Sequence, residues 1–189
     1  MTDTISKKQG QRDHAIRLRK SLVAPLAGQK AAENFLDAIP VSPSMAISLF
    51  LPIGSEIDTR PLIDALTARS VKCLLPVIVG RNRPLLFKEW QQGQPLVAGV
   101  FNTLQPDDDA DIAVPDIVVA PLLAFDARGY RMGYGGGYYD RTLQALRGGG
   151  PCCAVGYAYE GQLIEKVITD NHDQKLDWVV TEKMVRKTM

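Results

Sequence analysis

The stretch Ala46-Ile-Ser-Leu-Phe-Leu51 is an apolar run of strand length that ends at a Pro-Ile-Gly turn. It predicts a buried strand. Asp58 or Thr59 can then cap a helix whose first turn accepts Pro61, and the apolar run 71–75 predicts the next strand. Strand, helix and strand within about 30 residues form a βαβ unit, which predicts a parallel sheet with a right-handed crossover.

The rest of the chain carries further strand and helix patterns. The segment 91–115 holds many turn formers and the acidic run 107–109, and we interpret it as a surface excursion with solvated carboxylates. We expect a single α/β domain over residues 1–189, with helices covering a mostly parallel sheet. The additional predicted strands are 84–90, 116–120, 152–158 and 178–180, and the predicted helices are 139–147 and 16–39, the latter broken near Pro25 and Gly28.

Composition bounds the class of protein. Of the 189 residues, 46% are hydrophobic and 23% are charged, as in an ordinary folded domain. The formal net charge of +1 gives no reason to expect binding to nucleic acid or to a membrane surface, and no apolar run approaches the roughly 20 residues of a membrane span. Three cysteines and two histidines disfavour a disulfide framework or a zinc site. The N-terminus lacks the apolar core of a signal peptide, so we expect a cytoplasmic protein.

Positive charge is concentrated in residues 1–20, where six basic residues stand against Asp3 and Asp13. The two aspartates disfavour an organellar targeting segment. Composition alone favours a solvated basic helix face or a poorly ordered, mobile tail.

The densest signal is Arg131-Met-Gly-Tyr-Gly-Gly-Gly-Tyr-Tyr-Asp-Arg141, which has four glycines within five positions. Packing does not explain them, because each glycine raises the entropy of the unfolded chain. Directly before a helix, their backbone N–H groups can surround an anion at the positive end of the helix dipole. With Arg131 and with Asp140 in the first helical turn, the loop predicts a phosphate site at which Asp140 holds Mg²⁺. The alternative is a flexible turn in which Asp140 interacts only with the helix dipole.

Neither standard nucleotide fingerprint matches this loop. It lacks a Gly-Lys-Ser/Thr ending, and Tyr138 stands where a dinucleotide motif needs Gly or Ala. Glu56 follows a predicted strand end, at the edge where open α/β sheets bind ligands, although an exposed loop acid is an equal alternative. For His172, a solvated loop position is favoured over general-base catalysis.

Val119 to Asp126 followed by Gly129 to Arg141 resembles the signature of the 5-formyltetrahydrofolate cyclo-ligase family, whose members are also called methenyltetrahydrofolate synthetases. Further segments match in order and spacing: 49–59, 75–77, 87–90 and 172–177. The resemblance covers roughly residues 40–181. It implies a three-layer α/β/α sandwich around a mostly parallel sheet, and an enzyme that uses ATP and Mg²⁺.

The resemblance also implies a set of site residues, with Arg131 and Asp140 as the catalytic ones. Some members carry basic residues inside the glycine loop, where this chain has Tyr134 and Gly136. The family's N-terminal Lys-x-x-x-Arg matches here without the usual leucine before its arginine, since Gln11 stands there. The implied ATP contacts are Lys8, Arg12, Arg131, Met132, Gly133, Tyr134, Gly135, Gly136, Gly137, Tyr138 and Tyr139. The implied folate contacts are Leu51, Glu56, Tyr134, Gly135, Gly136, Gly137 and Tyr138, and the implied Mg²⁺ ligands are Asp140 and Asp173.

The implied reaction is the ATP-dependent cyclisation of 5-formyltetrahydrofolate to 5,10-methenyltetrahydrofolate, with release of ADP and phosphate. Phosphoryl transfer asks the protein chiefly for positioning and charge neutralisation. We expect a monomer whose partners are 5-formyltetrahydrofolate and ATP, without nucleic acid or membrane. Two alternatives stay open. A related-fold sugar-phosphate isomerase or transferase is disfavoured because Asp140 and Asp173 would repel a bare phosphate; a non-catalytic folate- or nucleotide-binding relative is the other.

Overall fold

The computed structural model describes residues 2–188. Within them the α-helices are α1 (Thr2–Ser21), α2 (Ala27–Ala38), α3 (Arg60–Thr67) and α4 (Tyr138–Gly149). The predicted break falls between α1 and α2, where Leu26 takes a left-handed φ of 64°. No helix in the described part of the chain is both long enough and apolar enough to cross a bilayer.

The βαβ unit lies at the centre of a seven-stranded sheet. The strands are β1 (Ala46–Ser48), β2 (Lys72–Val77), β3 (Leu86–Glu89), β4 (Leu96–Ala98), β5 (Leu104–Pro106), β6 (Ile117–Ala120), β7 (Ala124–Phe125), β8 (Arg131–Met132), β9 (Cys153–Tyr157), β10 (Trp178–Val180) and β11 (Val185–Lys187). Strands β1 and β2 pair in parallel around α3, with Ile47 opposite Cys73, and β1 also pairs in parallel with β6. The strand order is β11-β10-β9-β6-β1-β2-β3, and β3 and β11 are its antiparallel edges.

Side chains alternate between the two faces of the sheet along each strand, and a hydrophobic core forms on each face. Ile47 faces α2 and α3, where Phe35 and Leu62 are fully buried. Val118 faces the other way and packs with Leu143 of α4. The helices therefore cover both faces of the mostly parallel sheet, and the predicted three-layer α/β/α sandwich is confirmed.

Helix α1 does not belong to either outer layer. Ala15 and Ile16 pack against Leu123, Met132 and Val167, and Arg19 reaches segments that follow β1 and β6. The helix thus crosses the edge of the sheet where the parallel strands end, which is where ligands bind in open α/β folds.

Several local predictions differ from the structure. The strand predicted over 46–51 is shorter, because the chain turns away after Ser48. The 91–115 excursion contains the β4–β5 hairpin, and the chain continues past the predicted last strand into β11. Strands β4, β5 and β11 are each only three residues long, and β11 carries two basic residues, so none of the three shows an apolar period.

Candidate active site

The glycine loop joins β8 to α4 in a conformation that depends on glycine. Gly135 and Gly137 have φ values of 97° and 65°, in the left-handed region that other residues rarely adopt. At Gly136, an added Cβ would lie 2.9 Å from the ring of Tyr138. Three of the four predicted glycines are therefore required by backbone conformation or by close contact, and the loop lies directly before a helix N-terminus as predicted.

Arg131 and Asp140 bracket this loop and contact each other. Nη2 of Arg131 donates to Oδ1 of Asp140 at 2.8 Å, and its Nη1 donates to the carbonyl of Gln174 at 2.8 Å. Burial lowers the pKa of Arg131, and the nearby carboxylates of Asp140 and Asp173 oppose that shift. Oδ1 of Asp140 also accepts from the backbone N–H of Gln174 at 3.0 Å, while Oδ2 receives neither of these two bonds.

Lys8 of α1 contacts two carboxylates that are distant from it in the sequence. Its Nζ lies 2.7 Å from Oδ2 of Asp170 and 2.8 Å from Oδ2 of Asp173. Burial by itself would lower the pKa of Lys8, but the hydrogen bonds to the two carboxylates outweigh it and raise that pKa. His172 is exposed, and its backbone N–H donates to Asp170, which agrees with the solvated position favoured for it.

Two further arginines border the glycine loop. Nε of Arg12 donates to the carbonyl of Gly133 at 3.2 Å. Arg141 donates to the carbonyl of Gly136 at 2.7 Å, and its guanidinium lies 5.1 Å from the centre of the Tyr138 ring. Cations from both α1 and α4 thus contact the loop backbone.

Glu56 is buried rather than an exposed loop acid, with 9% of its surface accessible. Its Oε2 accepts from the backbone N–H of Ile53 at 2.9 Å, and its Oε1 lies 3.4 Å from Nη1 of Arg19. Burial raises the pKa of Glu56, while the hydrogen bond from Ile53 and the charge of Arg19 act in the opposite direction. A carboxylate in this position is a strong acceptor for ligand N–H groups.

The same arginine joins Glu56 to the glycine loop. Arg19 donates to the hydroxyl of Tyr134 and lies 5.5 Å from the centre of the Tyr134 ring. Tyr134 is 57% exposed, and burial followed by the charge of Glu56 raises the pKa of its hydroxyl. The strand-end acid and the loop, which are about 80 residues apart in the chain, are therefore one site.

Comparisons with known proteins identify the family of this chain. The model of the 5-formyltetrahydrofolate cyclo-ligase family matches residues 5–182. The chain belongs to this family. It is 35% identical to the 5-formyltetrahydrofolate cyclo-ligase of Escherichia coli over 90% of the chain and 98% of that protein, and 32% identical to that of Haemophilus influenzae over 90% and 95%.

Solved structures agree on the fold. The methenyltetrahydrofolate synthetase of Aquifex aeolicus superposes with a TM-score of 0.77 at 28% identity, covering 95% of this chain and 92% of that one. The synthetase of Mycoplasma pneumoniae superposes with a TM-score of 0.72 at 20% identity, covering 93% and 98%. The predictions of the family and of a cyclo-ligase enzyme are confirmed, and the match disfavours the sugar-phosphate alternative.

Within this family fold, Arg19 is the site residue that sequence reasoning missed. The signal was present, because Lys8, Arg12 and Arg19 lie within about 40° of one line along an α-helix at 100° per residue. The composition of residues 1–20 favoured a different interpretation, since six basic residues in twenty are typical of a solvated helix face. Arg19 is instead 3% exposed.

The remaining residues implied by the cyclo-ligase resemblance differ in how deeply their side chains are buried. Met132 is buried against α1, so its side chain supports the loop rather than lining it. Leu51 is half-buried just after β1. Tyr139 is half-buried in the first turn of α4, and burial followed by the charge of Glu56 raises the pKa of its hydroxyl.

A divalent cation has carboxylates available at the cyclo-ligase site, but not a closed cage. No group of three or more His, Cys, Asp or Glu side chains suited to a metal occurs among residues 2–188. Mg²⁺ usually takes one or two carboxylates and completes its shell with water and substrate phosphate oxygens. Asp140 and Asp173 fit that sparse pattern, although each already faces a cation of the protein, Arg131 and Lys8 respectively.

Proposed function

We propose that this protein converts 5-formyltetrahydrofolate into 5,10-methenyltetrahydrofolate with ATP and Mg²⁺. The observation that carries the proposal is the meeting of the glycine loop, the Arg131–Asp140 pair and the buried Glu56 at one sheet edge under α1. A phosphate cradle and a buried acceptor carboxylate are what a nucleotide and a pterin require.

The reaction couples two bond exchanges. The formyl oxygen attacks the γ-phosphorus of ATP and ADP leaves. N10 then attacks the activated formyl carbon, loses its proton to water, and closes the ring as phosphate departs. Such phosphoryl transfer depends mainly on alignment and charge neutralisation, so the reaction needs no nucleophilic side chain from the protein.

The nucleotide side of the proposed site is built from Lys8, Arg12 and residues 131–139. Backbone N–H groups at the start of α4 suit phosphate oxygens. Arg131 donates to Asp140 at 2.8 Å, and we assign these two as the catalytic residues. Mg²⁺, held by Asp140 and Asp173, would neutralise phosphate charge when bound.

The folate side is built from Leu51, Glu56 and residues 134–138. Glu56 accepts adjacent N–H groups of the pterin edge, which an ionised carboxylate does well. Leu51, which is half-buried just after β1, offers an apolar contact, and the exposed ring of Tyr134 offers a flat one.

We also propose that the chain acts as a monomeric single domain in the cytoplasm. Its near-neutral charge and the continuous seven-stranded sheet support this. Light scattering during size-exclusion chromatography tests the monomer, and a dimer mass would contradict it.

The activity is tested with purified protein, 5-formyltetrahydrofolate, ATP and Mg²⁺, following the methenyl product spectroscopically and ADP enzymatically. We expect one ADP per product and loss of turnover when ATP is omitted or Mg²⁺ is chelated. Equal turnover without nucleotide would contradict the proposed mechanism. Ligand binding without turnover would instead identify a non-catalytic relative.

A further inference from the structure

We infer that Arg19 is a positioning residue of the folate side: it holds the carboxylate of Glu56 and the hydroxyl of Tyr134 in their working geometry. This inference rests on the proposed role of Glu56 as a folate contact. It assigns a function to a residue of α1 outside the Lys8–Arg12 pair that the resemblance implies.

The guanidinium of Arg19 has two kinds of partner. Its Nε donates to Oγ of Ser55 at 3.1 Å, and its Nη1 donates to the carbonyl of Leu122 at 3.4 Å. These two partners follow β1 and β6 and anchor the group to the sheet edge. Its other contacts, with Glu56 and Tyr134, point into the site.

The contact with Tyr134 distinguishes positioning from simple charge balance. Neutralising a buried carboxylate requires a cation near Glu56, but it does not require contact with a loop residue that is 57% exposed. Arg19 makes that contact through both the hydroxyl and the ring face of Tyr134. A planar guanidinium with several fixed donors can do this, whereas the single ammonium of lysine cannot reproduce the set.

Charged and titratable groups approach Glu56 from α1, the glycine loop and the start of α4. Arg19 approaches from α1, Tyr134 from the glycine loop and Tyr139 from the start of α4. Burial raises the pKa of Glu56, and Arg19 is the cation that opposes this. Without it, Glu56 would hold its proton to higher pH, and a protonated carboxyl accepts fewer pterin N–H groups than a carboxylate.

The test compares Arg19→Met and Arg19→Lys with the matched pair Arg17→Met and Arg17→Lys, because Arg17 is exposed on the same helix. The affinities for 5-formyltetrahydrofolate and for ATP are measured by calorimetry across pH. For Arg19→Met we expect folate affinity to fall about ten- to a hundredfold, ATP affinity to change little, and the acidic loss of folate binding to move to higher pH. Arg19→Lys should weaken folate binding while leaving that acidic limb near its original pH.

Two further variants separate the failures. Glu56→Gln tests the proposed function: if it leaves folate affinity unchanged, Glu56 is not in the site. If Glu56→Gln weakens folate binding and folded Arg19→Lys does not, the positioning role of Arg19 is wrong while the proposed function stands. Tyr134→Phe provides a milder probe in case Arg19→Met fails to fold. A double-mutant cycle then combines Tyr134→Phe with Arg19→Lys and measures folate affinity. If the two effects simply add, the inference is overturned.

Discussion

Helix α1 serves two regions of this cyclo-ligase site in different ways. At its N-terminal part, Lys8 faces Asp170 and Asp173, and the Asp170 side chain is 51% exposed. Three helical turns further along, Arg19 faces Glu56 in a nearly closed environment. Both are cation–carboxylate pairs, yet their surroundings give them different electrostatic character.

The carboxylate pKa values shift in opposite directions. Hydrogen bonding to Lys8 lowers the pKa of Asp170, whereas burial raises the pKa of Glu56 despite its arginine. In a solvated ion pair the charged partner determines the direction of the carboxylate pKa shift, whereas in a desolvated pair the loss of hydration determines it. We therefore expect the Lys8 pair to exchange partners readily when phosphate arrives, and the Arg19 pair to stay in place.

Removing the carboxylate at the start of α4 should have the largest effect on turnover. In Asp140→Asn a neutral amide faces both Arg131 and the phosphoryl group, and loss of one such electrostatic contact is typically worth about 2.7–4 kcal/mol, or 10²–10³ in kcat. Steady-state kinetics at saturating Mg²⁺ measure this, with the exposed Asp64→Asn as control. Near-normal turnover in a folded variant would reduce Asp140 to an interaction with the helix dipole.

On the buried side, Glu56→Gln should weaken folate binding about ten- to a hundredfold, because a charge-assisted hydrogen bond contributes roughly 1.5–3 kcal/mol. Affinity for ATP should change little. Calorimetry with each ligand gives the two values, and Glu33→Gln on α2 is an exposed control. Folate binding to the wild type should also weaken as pH falls through the raised pKa of Glu56.

At the N-terminal part of α1, Lys8→Ala with Arg12→Ala should raise the KM for ATP about tenfold. This is less than a fully buried contact would give, because water and salt partly screen half-buried charges. The control is Arg17→Ala with Lys20→Ala, which removes the same charge from exposed positions of α1. Arg131→Ala in the same assay shows how much Arg131 contributes to ATP binding compared with Lys8 and Arg12. Unchanged ATP kinetics in the first variant, together with a crippled Arg131→Ala, would leave Lys8 and Arg12 outside the nucleotide site.

The smallest expected effect is on stability. Asp170→Asn should lower the free energy of unfolding at pH 7 by less than about 1 kcal/mol, because the pair is partly solvated. The native pKa of Asp170 is lowered, so its contribution is present above the unfolded-state pKa of about 3.9 and is lost as pH falls through the native value. Thermal unfolding of variant and wild type should therefore converge in acid. A difference that persists there would point to lost hydrogen bonds instead of charge, with Asp13→Asn as the surface control.

Much of the site could be predicted because local sequence carries it. Gly135 and Gly137 require positive φ, and a loop of such residues before a helix has few uses other than anion binding. The βαβ unit around α3 could also be predicted, from its apolar runs and from Pro61 in the first helical turn. Strand β11 was not, because an edge strand of three residues is defined by its pairing with β10 rather than by a period of its own.

The sequence by itself determined the βαβ unit, most of the other helices and strands of the main sheet, the glycine loop and the family, since turn chemistry and apolar periodicity act between near neighbours. Only the tertiary structure decided which charges are buried and which carboxylate each cation meets. Lys8 finds Asp170 across 162 positions, and Arg19 finds Glu56 across 37. Burial of an ion depends on what covers it from distant parts of the chain, and no local pattern encodes that; the basic helix α1 therefore has the composition of a solvated face while its Arg19 lies inside the site.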